Sequence, residues 1–225
     1  MLKKVTPDTI RFFALLLILP MAFIGVVILG SPSFSNVVAH GPIQAGHDTL
    51  QCSDCHRRAD ATVRQQIQAN LNYVLGRREN SVDFGYLPVT SGECLDCHER
   101  PNERHPIYRF REPRFAEAIE VVNAVSCMGC HAEHTDERSF MELGVCAACH
   151  DDLKLVNDPV DVPHETLVRD SQWQTCLGCH DFHGNHIHTS PKLLTEAAPV
   201  EAIMDYLAAG NSPYGMDKLY KAQIK

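Results

Sequence analysis

Ten cysteines fall in five copies of one pattern: Cys52-Ser-Asp-Cys55-His56, Cys94-Leu-Asp-Cys97-His98, Cys127-Met-Gly-Cys130-His131, Cys146-Ala-Ala-Cys149-His150 and Cys176-Leu-Gly-Cys179-His180. None is left over. Cys-x-x-Cys-His is the attachment signature of c-type haem: two thioethers fix the porphyrin, and the histidine that follows ligates the iron. Structural zinc, disulfide frameworks and thioredoxin-like pairs also use paired cysteines, but none requires histidine directly after the second one. With 13 histidines in 225 residues, chance puts one at a given position about 6% of the time, so five in five is no coincidence. The expected cofactors are five c-type haems, held covalently by the ten cysteines and through iron by His56, His98, His131, His150 and His180 as proximal ligands.

The second axial ligand decides what such a haem does. Eight histidines lie outside the motifs: His40, His47, His105, His134, His164, His183, His186 and His188. Five irons need at most five of them, so every iron can be bis-histidine. Two imidazoles leave no open position on the iron, which favours electron transfer over catalysis. No catalytic residue is therefore assigned, and a small-molecule substrate is not expected. The distal candidates are His47, five residues before Cys52; His105 and His164, beside Pro106 and Pro163; and His134, His183 and His186, which closely follow proximal histidines. One of His183 and His186 is expected to be a hydrogen-bonding or surface residue, and His40 and His188 read as solvated loop histidines. Met128, Met141 and Met204 read as packing residues rather than ligands. Arg57, Arg58, Arg100, Arg104 and Arg111 gather near the first two motifs, where guanidinium forks suit haem propionates.

Few elements are available to position these groups. The first cysteines of successive motifs lie at 52, 94, 127, 146 and 176. That spacing is too irregular for a stacked solenoid and predicts a haem cluster wrapped by chain. Roughly 37 residues serve each haem, too few for a separate core around each, so the porphyrins themselves must supply much of the buried apolar surface. Helical spacing of apolar residues predicts packing helices over 60–76, 113–125 and 199–210, the first ending at Gly76. The remainder is rich in turn-forming residues and shows no period-2 pattern. The fold class expected is mostly irregular and α: short helices around a haem cluster, plus one N-terminal transmembrane helix. The polar tail after Tyr214 is expected to be loosely held.

Residues 10–30 are apolar over about the 20 residues that a bilayer-spanning helix needs. Lys3, Lys4 and Arg11 at its start predict a cytoplasmic N-terminus with everything after Gly30 on the outer side of the cytoplasmic membrane. A cleaved signal peptide with a site near Val37-Val38-Ala39 is the alternative, and the length of the apolar run favours a retained signal-anchor. The expected organisation is thus a cytoplasmic N-terminus (1–9), a signal-anchor (10–30), a pentahaem domain (31–190), and a C-terminal helix and tail (191–225). Residues 1–30 carry a net +2, so the rest carries −10 of the total −8. An acidic exported part excludes nucleic acid as a partner, since phosphate binding needs a basic face, and suits a basic redox partner.

His47 upstream of the first motif, the five motifs, and the run Cys176-Leu-Gly-Cys179-His180-Asp181-Phe182-His183-Gly184-Asn185-His186 resemble the class III (cytochrome c3-type) multihaem cytochromes over about residues 40–190. The resemblance implies a mostly irregular fold around closely spaced bis-histidine haems of low potential. A fifth motif and an anchor depart from the tetrahaem form, so haem order does not carry over. The pentahaem subunit of alternative complex III is similar in having one N-terminal span and five haems. It implies a relay from a quinol-oxidising membrane partner to a soluble carrier. The quinol dehydrogenases of nitrate and nitrite respiration also carry an N-terminal span, but their first motif is typically followed by a nearby ligating Met, whereas here Arg57-Arg58-Ala59 follows His56. The alternative function, a quinol dehydrogenase or multihaem reductase enzyme, needs an open iron or a quinone pocket.

Overall fold

The computed structural model describes residues 7–30, 41–44 and 46–223. His40 and the Val37-Val38-Ala39 site lie outside the described residues. The chain divides into two units, 1–43 and 44–225. The first contains helix α1, Pro7–Gly30, whose segment Arg11–Ile28 has a mean hydropathy of 2.5 and is unburied along its length. Pro20 lies inside it without ending it. By length and composition α1 is a candidate membrane anchor.

The second unit is built from short helices and turns. In order these are α2 (Cys52–Cys55), α3 (Val63–Val74), α4 (Ser91–His98), α5 (Ala116–Val122), α6 (Ala147–His150), α7 (His164–Arg169), α8 (Cys176–Cys179) and α9 (Val200–Leu207), with short 3₁₀ turns in several of the loops between them. Among the described residues there are no strands, only two isolated bridges, Arg58 with Tyr86 and His186 with Lys218. The fold is the helical and irregular one expected of a cytochrome c3-like chain.

Local chemistry sets the ends of these helices. Thr62 caps α3 and Thr90 caps α4, each in a capping box with the residue three positions on, Gln65 or Glu93. Gly76 follows α3 at φ +68°, as a left-handed cap requires, and Asn123 at φ +50° stops α5. Helix α5 turns Phe115, Ala118, Ile119 and Val122 toward the body while its neighbours are exposed.

Helix α3 departs from the packing role that its apolar stripe predicts. Val63, Ile67, Leu71 and Val74 are 54–78% exposed. The face toward the body is polar: Gln66 accepts from Gly85 N at 2.8 Å, and Asn70 exchanges bonds with Val82 N and Val82 O at 3.0 Å each. These amides tie α3 to the 82–85 loop, so hydrogen bonding rather than apolar burial decides which way the helix faces.

The core of side chains is small. Ile203 and Leu207 on α9 pack with Leu177 and Tyr214, backed by Met141, Leu143, Phe182 and Tyr206. Pro199 precedes α9, and its far end is closed by Arg138. The Arg138 guanidinium donates to the Tyr206, Ala209 and Gly210 carbonyls and lies over the Tyr206 ring, 4.2 Å from its centroid. The tail is held more firmly than its polarity predicts. Tyr214 O–H donates to Leu177 O at 2.6 Å, Leu219 N and Tyr220 N bind Asn185, and Gln223 N reaches Cys97 O at 2.9 Å. This strap runs from the loop after the fifth motif to the second motif.

Candidate haem sites

Each motif forms one turn of helix or 3₁₀ helix, which places its two cysteines and its histidine on one side of the turn. Two motifs need a glycine for close approach. A Cβ on Gly129 would sit 2.0 Å from Asn123 O, and one on Gly178 would sit 2.7 Å from Ala198 O. The first motif lies beside the second, the second beside the third, and the fourth beside the fifth. Helix α2 packs on α4, α4 on the Cys127–Gly129 turn, α5 on α6, and α8 on the Leu143–Cys146 turn. Cys94 lies close to Cys127, and Cys146 close to Cys176. Arg57, next to His56, pairs with Glu93 of α4 at 2.6 Å and ties the first two motifs together.

The histidines fall into pairs. His56 faces His134 (ring centroids 6.3 Å apart), His98 faces His47 (5.8 Å), His131 faces His183 (6.0 Å), His150 faces His105 (6.2 Å) and His180 faces His164 (6.1 Å). In every pair one ring belongs to a motif and the other does not, and no ring appears twice. Metal–imidazole bonds of about 2.0 Å on both sides, plus half the width of each ring, put the centroids about 6 Å apart. Rings packed directly on one another can approach to 4.3 Å, as His105 and Phe182 do here. The residues thus fit an iron between each pair of imidazoles.

Hydrogen bonding aims the rings. A ligating imidazole normally gives its other ring nitrogen to a carbonyl or carboxylate, which frees Nε2 for the metal. His56 Nδ1 contacts Leu87 O at 3.2 Å, His131 Nδ1 contacts Arg138 O at 2.6 Å, and His105 Nδ1 contacts Phe182 O at 2.6 Å. His47 Nδ1 contacts Glu133 at 2.7 Å, His164 Nδ1 contacts Asp158 at 2.9 Å, and His183 Nδ1 contacts Glu103. Burial pushes His98, His105, His131 and His180 below the ordinary imidazole value, which keeps them in the neutral form that binds metal.

The sixth candidate, His186, is paired with no motif histidine. Its Nδ1 contacts Asp181 Oδ2 at 2.9 Å, its ring lies against Tyr206 and Tyr214, and its Nε2 is buried without a partner. Asp181 also accepts from the backbone N–H groups of Asn185 and His186, so the pair folds the loop after the fifth motif. His188 contacts the His186 and Cys179 carbonyls. Met141 packs on the core, while Met128 and Met204 are exposed. The arginines named for propionates divide: Arg57 and Arg100 pair with Glu93 and Glu103, and Arg111 reaches Val125 O.

One apolar cavity carries two complete sets. Its wall includes Cys146, Cys149, His150 and His105 from one, and Cys176, Cys179, His180 and His164 from the other, with Trp173, Leu167 and Phe182 between them. Sequence reasoning missed the residues that hold the rings. Glu103, Glu133, Asp158 and Asp181 read as ordinary acidic positions, and their only signal is a place one to six residues from a candidate histidine.

No curated protein and no solved structure gives a match to this chain. A match to the cytochrome c3 family covers residues 44–151, just under half of the chain, and ends directly after the fourth motif. His164 and His183, which face His180 and His131, lie beyond it. Over the matched stretch the chain is similar to the cytochrome c3 family, whose members bind c-type haem and transfer electrons.

Proposed function

We propose that the chain is a membrane-tethered electron relay carrying five c-type haems, one per motif. The distal ligands are His134 for the first motif, His47 for the second, His183 for the third, His105 for the fourth and His164 for the fifth. The observation that carries this reading is the set of five ring pairs, each joining a motif histidine to a different non-motif histidine about 6 Å away. Because all five proximal imidazoles face a second imidazole, no coordination position is left for a substrate, and the enzyme reading loses its open iron.

The haems supply the one-electron couples, and the chain supplies their spacing and environment. Neighbouring motifs pack in the order first, second, third, and fourth with fifth. Phe182 spans the remaining step: its ring stacks on His105 at 4.3 Å and meets His183 edge-on at 5.2 Å. Electrons thus pass along the haems in chain order. Helix α1 holds the relay at the cytoplasmic membrane with the haem unit outside. A quinol-oxidising membrane partner is the donor and a soluble, basic carrier the acceptor, matched to the −10 net charge after residue 30.

Reductive titration of the purified chain, followed by electron paramagnetic resonance, tests the reading. Five low-spin couples are expected. Stoichiometric high-spin iron that binds carbon monoxide, or quinol turnover by the isolated chain, would overturn it.

A further inference from the structure

The five non-motif imidazoles are held in two different ways. Three give Nδ1 to a carboxylate: His47 to Glu133 at 2.7 Å, His164 to Asp158 at 2.9 Å, and His183 to Glu103. The other two do not. His105 meets the neutral carbonyl of Phe182 at 2.6 Å, and His134 Nδ1 is buried without a partner. The three acids are set in place by further bonds. Asp158 also accepts from His164 N at 2.6 Å and Val160 N at 3.2 Å. Glu133 accepts from Gln44 N at 3.1 Å, and Glu103 accepts from Arg100 at 3.1 Å through the same oxygen that His183 contacts.

The acceptor on the far side of an axial imidazole changes the iron. A carboxylate draws the Nδ1 proton and makes Nε2 a stronger donor, and this stabilises ferric over ferrous iron. Its negative charge, a few ångströms further out, acts in the same direction. A carbonyl does this more weakly, and an imidazole with no acceptor does not do it. The difference is sharpest between the third and fourth motifs, where two short segments hold each other's ligands. Glu103 takes the proton of His183 while the Phe182 carbonyl takes that of His105, and Arg104 N donates to His183 O at 3.3 Å. Neighbouring irons there receive opposite treatment from one pair of strands of chain.

We propose that Glu133, Asp158 and Glu103 are positioning residues that lower the potentials of the haems at Cys94–His98, Cys176–His180 and Cys127–His131, leaving those at Cys52–His56 and Cys146–His150 the higher pair. Along the chain the levels then run high, low, low, high, low, so the relay has two places where an electron rests. The inference depends on the five-haem reading above.

The test uses the full chain, matured with haem and purified in detergent, titrated spectroelectrochemically with dithionite as reductant. Haem content and low-spin signals are measured first. Fewer than five low-spin haems in the unsubstituted chain would sink the five-haem reading itself. With five present, E103Q and D158N each raise one couple, shifting its ferric-to-ferrous ratio at fixed potential about tenfold, or 59 mV for one electron. E133Q raises a third couple by less, because its carboxylate is 35% exposed and better screened. Each variant also alters one low-spin ferric signal and leaves four untouched. E112Q, which removes a carboxylate that contacts Arg114 rather than an imidazole, moves none. If a Gln or Asn variant does not accumulate, E103D or E133D keeps the charge and lengthens the contact, D158E keeps the charge and displaces the contact, and each gives a smaller rise of the same couple. The proposal is overturned if the five haems are intact and these variants move no couple, lower one, or shift all five alike.

Discussion

Replacing one of the five facing histidines removes a single axial imidazole, so H164A converts one haem in five to a high-spin form that binds carbon monoxide after reduction. H186A and H188A leave all five low-spin, and visible and paramagnetic resonance spectra separate the outcomes. Asp181 carries a second consequence at this scale. Burial works to raise its carboxyl, but the bonds from His186 and Asn185 outweigh burial and hold it below the usual carboxylate value. Its stabilisation is complete above the unfolded value of about 3.9 and is lost as pH falls through the lower folded value. D181N should cost about 3 kcal/mol near neutral pH, read as denaturant midpoint, and should flatten the acid limb of the stability profile. The five Cys-x-x-Cys-His motifs were legible in the sequence because attachment chemistry demands adjacent residues. The pairing was not. His47 lies five residues before Cys52 yet faces His98, and His183 lies beyond the fifth motif yet faces His131. Proximity in sequence says nothing about which ring a looping chain brings opposite a motif histidine, and His183 and His186 differ in role because one faces His131 while the other bonds to Asp181.

At the scale of elements, α9 and the strap are the parts that protein packing alone holds. Ile203 is 1% exposed among Leu177, Leu207 and Tyr214. I203A should cost about 3 kcal/mol through lost contacts and the cavity left behind. Y214F removes the donor to Leu177 O and should cost about 1 kcal/mol. Both are read as a lower thermal midpoint with an unchanged haem spectrum. Helix positions were legible from periodicity and turn residues: Gly76 follows α3, and Pro199 precedes α9. The face of α3 was not, because Gln66 and Asn70 look like solvent-facing amides until the 82–85 loop presents Gly85 N and Val82. The strap was likewise hidden, since a tail rich in polar residues gains its order from partners more than 30 residues away.

The whole molecule joins an apolar helix with no acidic residue between Arg11 and Ile28 to a motif-bearing remainder of −10 net charge. The full chain should therefore sediment with membranes and need detergent for release, and its electron exchange with a basic soluble carrier should slow as salt rises. Composition made the broad class legible, because roughly 37 residues per motif cannot close a core without porphyrin. Everything rests on five irons in thioether-bound porphyrins, each between two imidazoles. The most direct measurement is pyridine haemochrome content per polypeptide, taken together with the spin state of the ferric protein, on chain from a host that matures c-type haem. The account predicts five haems per chain, all low-spin. Four or fewer haems, or a stoichiometric high-spin fraction in the unsubstituted protein, would contradict it.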